Sequence, residues 1–195
     1  MGTIAMIGAF DTKGAEYAFL RDRICDHGHD VLAINIGTRG STDQFPVDID
    51  AREVARAGGN DLDDFRDDRG DAMKMMSESA PMVVRDLAAQ HRIDGIIGMG
   101  GTGGTSVVSA AMRALPIGFP KICISTAASG DTADYVGTKD VTLMPSIVDV
   151  AGVNRISRIV FTQAAGAISG IVNALVPKAT NEKPVIAASM FVNTP

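Results

Sequence analysis

Short β-branched runs, each ending in glycine or a hydroxyl residue, alternate along this chain with longer stretches whose apolar positions recur at helical spacing. That alternation is the pattern of βαβ units, and the continuous apolar runs predict strands buried on both faces of a parallel sheet. Six strands are predicted: Thr3–Ile7, Val31–Ile36, Ile93–Ile97, Lys121–Ile124, Val141–Met144 and Val185–Met190. Between the first two, Ala15–His27 reads as a helix with Ala15, Ala18, Phe19 and Ile24 inward and Gly28 closing its C-terminus. From Asp71 to His91 the residues Met73, Met76, Ala80, Val83, Val84 and Leu87 mark a core-facing stripe, with Pro81 kinking that helix or opening a new one. Gly152–Leu175 is a long helix dense in Gly, Ala and Ser, suited to close packing on another helix or on a second subunit. The fold class is therefore α/β, a Rossmann-like parallel sheet of about six strands with helices on both faces.

Residues 37–70 break this rhythm, with Gly37, Gly40 and Pro46, a helical stretch near Asp50–Ala57, then the acidic loop Gly58–Gly70. Two accounts fit: a small second lobe near residues 37–90, or an excursion from the main sheet. The acidic run reads as a solvated loop rather than a cation site.

Composition narrows the class of function. At 195 residues and 46% apolar, the chain is long enough for a continuous core and excludes disordered or disulfide-stapled classes. The net charge of −5 excludes general affinity for nucleic acid or acidic membranes, which needs a basic patch. Most of that charge is local, since residues 59–71 hold six Asp against two Arg. Without a basic, apolar leader the expected compartment is the cytoplasm. Ile159–Pro177 has no formal charge, but Thr162, Gln163, Ser169, Asn173 and two glycines make it a packed helix rather than a membrane span. Cys25 and Cys123 read as reduced core residues, and His27, His29 and His91 as structural residues at helix ends without zinc spacing.

In an open parallel sheet, ligands bind beyond the carboxyl ends of the strands. Three loops there are rich in Gly, Ser and Thr: Gly8–Glu16, Gly98–Ser106 and Ser125–Thr132. They would present backbone amides and hydroxyls beside positive helix ends, which suits phosphate. Residues 98–103 match G-x-G-x-x-G, yet no acid stands at the end of the next strand to hold a ribose, which opposes a dinucleotide. The order Lys13-Gly14 is not that of a Walker A loop. Lys13 still supplies a cation, Thr12 a hydroxyl and Asp11 either a partner for Mg²⁺ or the cap of the following helix, with Glu16 reinforcing the helix start. Asp131 has the same two readings, as ligand or as turn residue. No nucleophile–base pair marks an acid/base engine, so a reaction does not follow.

Phe10–Glu16, Gly98–Thr105, Ser125–Thr132, Asp149–Ser157 and Ala164–Ile168, taken in order, resemble the Tm-one-like ATP-binding family, named for a tomato antiviral resistance protein. The resemblance implies a Rossmann-like domain, residues 1–195, forming the N-terminal half of a longer two-domain protein. It also implies ATP, with Mg²⁺, and a homodimer. The expected nucleotide-binding residues are Asp11, Thr12, Lys13 and Gly14; Gly100, Gly101, Thr102, Gly103, Gly104 and Thr105; and Thr126, Ser129, Gly130 and Asp131. Two other readings stay open: a metabolite-processing enzyme that needs the second domain, with Asp11 or Asp131 as acid/base, and a protein-interaction module whose nucleotide is structural and whose acidic loop engages a protein partner.

Overall fold

The computed structural model describes residues 1–65 and 68–174. Five parallel strands, β1 (Thr3–Gly8), β2 (Asp30–Asn35), β3 (Gly95–Gly100), β4 (Lys121–Ser125) and β5 (Thr142–Pro145), form one sheet in the order β2-β1-β3-β4-β5. The expected strand Val185–Met190 lies outside the described residues. Side chains alternate across the sheet as a two-residue period requires. Ala5 and Ile7 of β1, Ile96 of β3 and Cys123 of β4 enter one core, while Ile4, Met6, Ile97, Met99, Ile122 and Ile124 enter the other.

Helices α1 (Phe10–Asp26) and α6 (Arg155–Asn173) cover the second face, where Tyr17, Leu20, Ile24, Phe161, Ala164 and Ile168 are buried. Helices α2 (Ala51–Ala57), α3 (Arg69–Ala89) and α4 (Thr102–Arg113) cover the first; α5 (Ala133–Val136) is a single turn between β4 and β5. Residues 37–90 are thus no second lobe. Ala51, Val54, Met75, Met76 and Val84 share one core with Ile7 and Ile34 of the sheet. Pro81 sits inside a continuous α3.

Two acids of the loop before α3 have local duties. Asp68 caps α3 by accepting from the Gly70 and Asp71 amides, and Asp63 pairs with Arg52 at 2.9 Å. Helix α1 begins five residues before the expected Ala15, because Phe10, Tyr17 and Leu20 rather than Ala15 carry its buried face. Its C-terminus is as expected, with Gly28 at a φ of +80° just past the cap. Cys25 is a correction: it faces solvent at the end of α1, whereas Cys123 is buried in β4 and its thiol is pushed up to about 12 by burial.

Lys121 is buried at the amino end of β4, away from the ligand-binding edge. Its ammonium donates to the Pro116 and Phe119 carbonyls at 2.8 Å and to Asp140 at 2.7 Å.

Candidate functional site at the carboxyl edge of the sheet

Strand β1 sends the chain to α1 on one face, and its neighbour β3 sends it to α4 on the other, so the β1/β3 junction is the topological switch point. The α1 side of that crevice is filled. Tyr17 is fully buried, and its hydroxyl accepts from the Met99 amide at 2.7 Å while lying 2.8 Å from the Ile7 and Met99 carbonyls. Burial pushes its phenol well above the ordinary range. A Cβ on Gly8 would stand 1.9 Å from this oxygen, so Gly8 is glycine to admit Tyr17 rather than to admit a ligand.

The N-terminus of α1 is likewise engaged. Its first amide, Phe10, donates to the side-chain oxygen of Asn35 at the end of β2, and the Thr12 and Lys13 amides donate to the Ala9 carbonyl. Asn35 also accepts from Gly37 and donates to the Gly40 carbonyl, which locks the β2–α2 loop against α1. Asp11 does not cap its own helix: the N-cap is Ala9, without a side-chain bond. One Asp11 oxygen accepts from the Arg39 amide at 3.0 Å; the other is buried against Gly37 and has no partner among the described residues.

Lys13 has a non-helical backbone, φ −130° and ψ 24°, and its ammonium donates to the Val150 carbonyl. One turn on, the buried carboxylate of Glu16 accepts from the Gly152 amide at 2.5 Å. Glu16 therefore anchors the lead-in to α6 instead of reinforcing its own helix start. A Cβ on Gly14 would meet the Thr42 hydroxyl at 2.4 Å, and Thr12 bonds only back to Ala9. The four residues 11–14 thus face the segments at 37–44 and 150–152.

The N-terminus of α4 is different. Gly101 is its N-cap and carries no side-chain cap; the first helical bond runs from the Thr105 amide to the Gly101 carbonyl. The Thr102, Gly103 and Gly104 amides therefore precede the helical ladder and point off its positive end. Gly101, Thr102, Gly103 and Gly104 are exposed or half-buried, whereas Gly100 and Thr105 are buried. Gly100 must be glycine, since its Cβ would stand 2.9 Å from the Cα of Gly104. Thr105 is a tether rather than a surface group: its hydroxyl bonds the Gly100 carbonyl and lies 2.7 Å from the Ser125 hydroxyl. Around Gly101 and Gly103 there is room, the nearest atoms to a built Cβ being the Thr126 hydroxyl at 3.8 Å and the Met73 methyl at 3.5 Å.

Thr126 continues this edge. Its amide donates to the Gly100 carbonyl, which brings the β4 loop onto the start of α4. Beyond it Thr126 and Ser129, with Pro145 at the end of β5 and Ile147, Val148 and Asp149 after it, line a groove of about 450 Å³. Gly130 forms a turn to the Ala127 carbonyl, and Asp131 accepts from the Ala133 amide at 3.0 Å, so its turn duty is occupied by α5. The structure therefore brings 100–105 together with 126, while Asp11, Thr12 and Gly14 line a separate open pocket of about 620 Å³ with residues 41–44, and Lys13 reaches to Val150.

Sequence reasoning missed Tyr17, Asn35, the Glu16–Gly152 bond and Ile147. Only Asn35 carried a signal, as a polar residue closing an apolar strand. Among the described residues no helix is long and apolar enough to cross a membrane, and no cluster of three or more His, Cys, Asp or Glu residues is placed to hold a metal.

Residues 2–177 match the family model described as the uncharacterised protein family UPF0261, N-terminal domain. The chain is 43% identical over 190 residues to a UPF0261 protein of Clostridium tetani, covering 96% of this chain and 47% of that one. It is 45% identical over 198 residues to a UPF0261 protein of Mesorhizobium japonicum, covering all of this chain and 48% of that one. It is also 34% identical over 211 residues to the tomato (Solanum lycopersicum) ToMV resistance protein Tm-1(GCR237), covering 97% of this chain and 28% of that protein. The chain spans about half the length of the bacterial relatives it matches. With the open end of α4 set in a five-stranded parallel sheet, and with near-complete coverage by one family model, this chain belongs to the UPF0261 family as its N-terminal domain.

Proposed function

We propose that this domain binds the polyphosphate of a nucleotide, ATP with Mg²⁺, at the N-terminus of α4, as the binding half of a longer protein. The observation that carries the reading is the uncapped start of α4, where the Thr102, Gly103 and Gly104 amides precede the helical ladder. Three amides on a positive helix end form an anion site, and glycines let a phosphate approach the backbone closely. Thr126 adds a hydroxyl beside Gly101, and Ser129 stands further along the same edge. Mg²⁺ binds nucleotides through phosphate oxygens and one or two carboxylates, so it needs no three-acid cluster. Asp131, on the loop after β4, is the carboxylate of that side. Residues 11–14 serve the site indirectly, by fixing the loops at 37–44 and 150–152.

The test is calorimetric titration with ATP and Mg²⁺, paired with thermal melts. A ligand that binds only the folded state stabilises it by about 2.7 kcal/mol at a hundred times its Kd. A saturable heat together with a rise in Tm supports the proposal. No heat and no shift at millimolar nucleotide, in this chain and in a chain extended by its second half, overturns it.

A further inference from the structure

Ile147 is out of place on two independent counts. It is 73% exposed, and its φ is +67°, a left-handed conformation that a β-branched residue rarely adopts. Among the described residues His91 is the other non-glycine at positive φ, and it sits just beyond the C-terminus of α3, where that conformation is common. Ile147 follows a strand instead. The conformation is fixed by its neighbours: the Ser146 amide donates to the Ser125 carbonyl at 3.1 Å, and the Ser146 hydroxyl donates to the Val148 carbonyl at 2.6 Å. The loop is therefore built to hold an apolar side chain out in solvent. Strain maintained by surrounding bonds points to function rather than to packing.

The place of that side chain matters. Ile147 and Val148, with Pro145, form the apolar part of the groove beyond β4 and β5, which Asp149 and Thr126 also line. Thr126 is the residue next to Gly101 at the start of α4. From the end of β3 to the end of β5 is two interstrand steps, roughly 10 Å. That is about the reach of a nucleoside polyphosphate from its phosphates to its base.

We propose that Ile147 is the platform for the nucleobase of a nucleoside polyphosphate, with the Asp149 carboxylate accepting from a ribose hydroxyl or an exocyclic amine. This rests on the reading of α4 as the phosphate site and adds the part of the ligand that makes it a nucleoside. A flat ring laid on the isoleucine buries apolar surface on both partners, and an exposed carboxylate beside it reads hydrogen-bond donors.

The experiment compares ATP with inorganic tripolyphosphate on the whole chain, as Ile147→Gly and Ile147→Asn beside the parent sequence. Both replacements tolerate positive φ, and the glycine variant should melt roughly 2–4 °C higher as the strain is relieved. The expected result is about a tenfold loss of ATP affinity in both variants, the apolar contact of one side chain, with tripolyphosphate affinity unchanged. If tripolyphosphate binds but the variants bind ATP as the parent does, the base platform is overturned while the phosphate site stands. If the parent binds neither ligand, the α4 reading fails and takes this one with it. Variants that melt lower than the parent would show that Ile147 serves its own loop, which also overturns the proposal.

Discussion

Two helices begin at the same edge of one sheet, on neighbouring strands, and both follow loops whose composition suits phosphate; their N-termini nevertheless differ in what is left to bind. At α1 the side chain of Asn35 occupies the first amide, Tyr17 fills the crevice behind it, and Lys13 and Glu16 reach to Val150 and Gly152. At α4 no side chain caps the helix, and the glycines leave the backbone accessible. Loop composition therefore reports capacity for anion binding, and tertiary structure decides whether that capacity is already engaged.

The sharpest way to break the contrast is to disturb the plug. Gly8→Ala puts a Cβ against the Tyr17 hydroxyl and should cost about 3 kcal/mol or unfold the chain, read by urea denaturation. A fully stable Gly8→Ala would show that the crevice has room for a ligand and that the two ends are alike.

Gly101→Val and Gly103→Val carry the next largest effect, on binding rather than on stability. Each has space for its Cβ, so the fold should survive. Blocking approach to two or three charge-assisted hydrogen bonds should weaken ATP by at least about a hundredfold, at about 1.5–3 kcal/mol per bond. Titration and circular dichroism on the same samples decide it, and a folded variant with normal affinity moves the site elsewhere.

Lys13→Ala and Glu16→Ala should do the reverse. Loss of the bonds to Val150 and Gly152 should cost about 1–2 kcal/mol of stability, with ATP affinity changed less than threefold. A selective loss of triphosphate over AMP in Lys13→Ala would place that ammonium on the phosphates and break the comparison.

The smallest effect on binding belongs to the far end of β4. Burial on its own raises the Asp140 carboxyl, but hydrogen bonds from the Lys121 ammonium and the Gly118 amide, with the lysine charge, outweigh it and hold the carboxyl below the usual carboxylate range. A depressed carboxyl stabilises the fold above its unfolded pKa of about 3.9, and that contribution is lost as pH falls through the lower folded value. Asp140→Asn should flatten the acid limb of the stability profile and also lower stability at neutral pH, because the Lys121 ammonium is buried and loses its anion, and it should leave nucleotide binding unchanged.

Much of the architecture was legible before any coordinates. Apolar runs and helical stripes locate all five described strands and the long helices, because burial on both faces of a parallel sheet leaves a strong periodic trace. The start of α1 was misplaced, since Phe10 and Tyr17 are held by contacts distant in sequence that no local pattern encodes. The glycines of 100–104 stood out in the sequence because steric need and ligand access favour the same residue there, and the structure shows the steric need at Gly100. Asp11–Gly14 was ambiguous for a physical reason: a lysine, an aspartate and a hydroxyl at a helix start serve a phosphate or a neighbouring loop equally well. Ile147 left no trace, because positive φ at a β-branched residue is imposed by the bonds of Ser146 and not by the identity of the isoleucine.

The most direct test of the account is an amide-resolved NMR titration with ATP and Mg²⁺. The account predicts the largest shifts at the amides of Thr102, Gly103, Gly104 and Thr126, with those of Phe10, Thr12 and Lys13 nearly still because Asn35 and Ala9 already hold them. Largest shifts at residues 10–14, or saturation with no shift at 101–105, would contradict it.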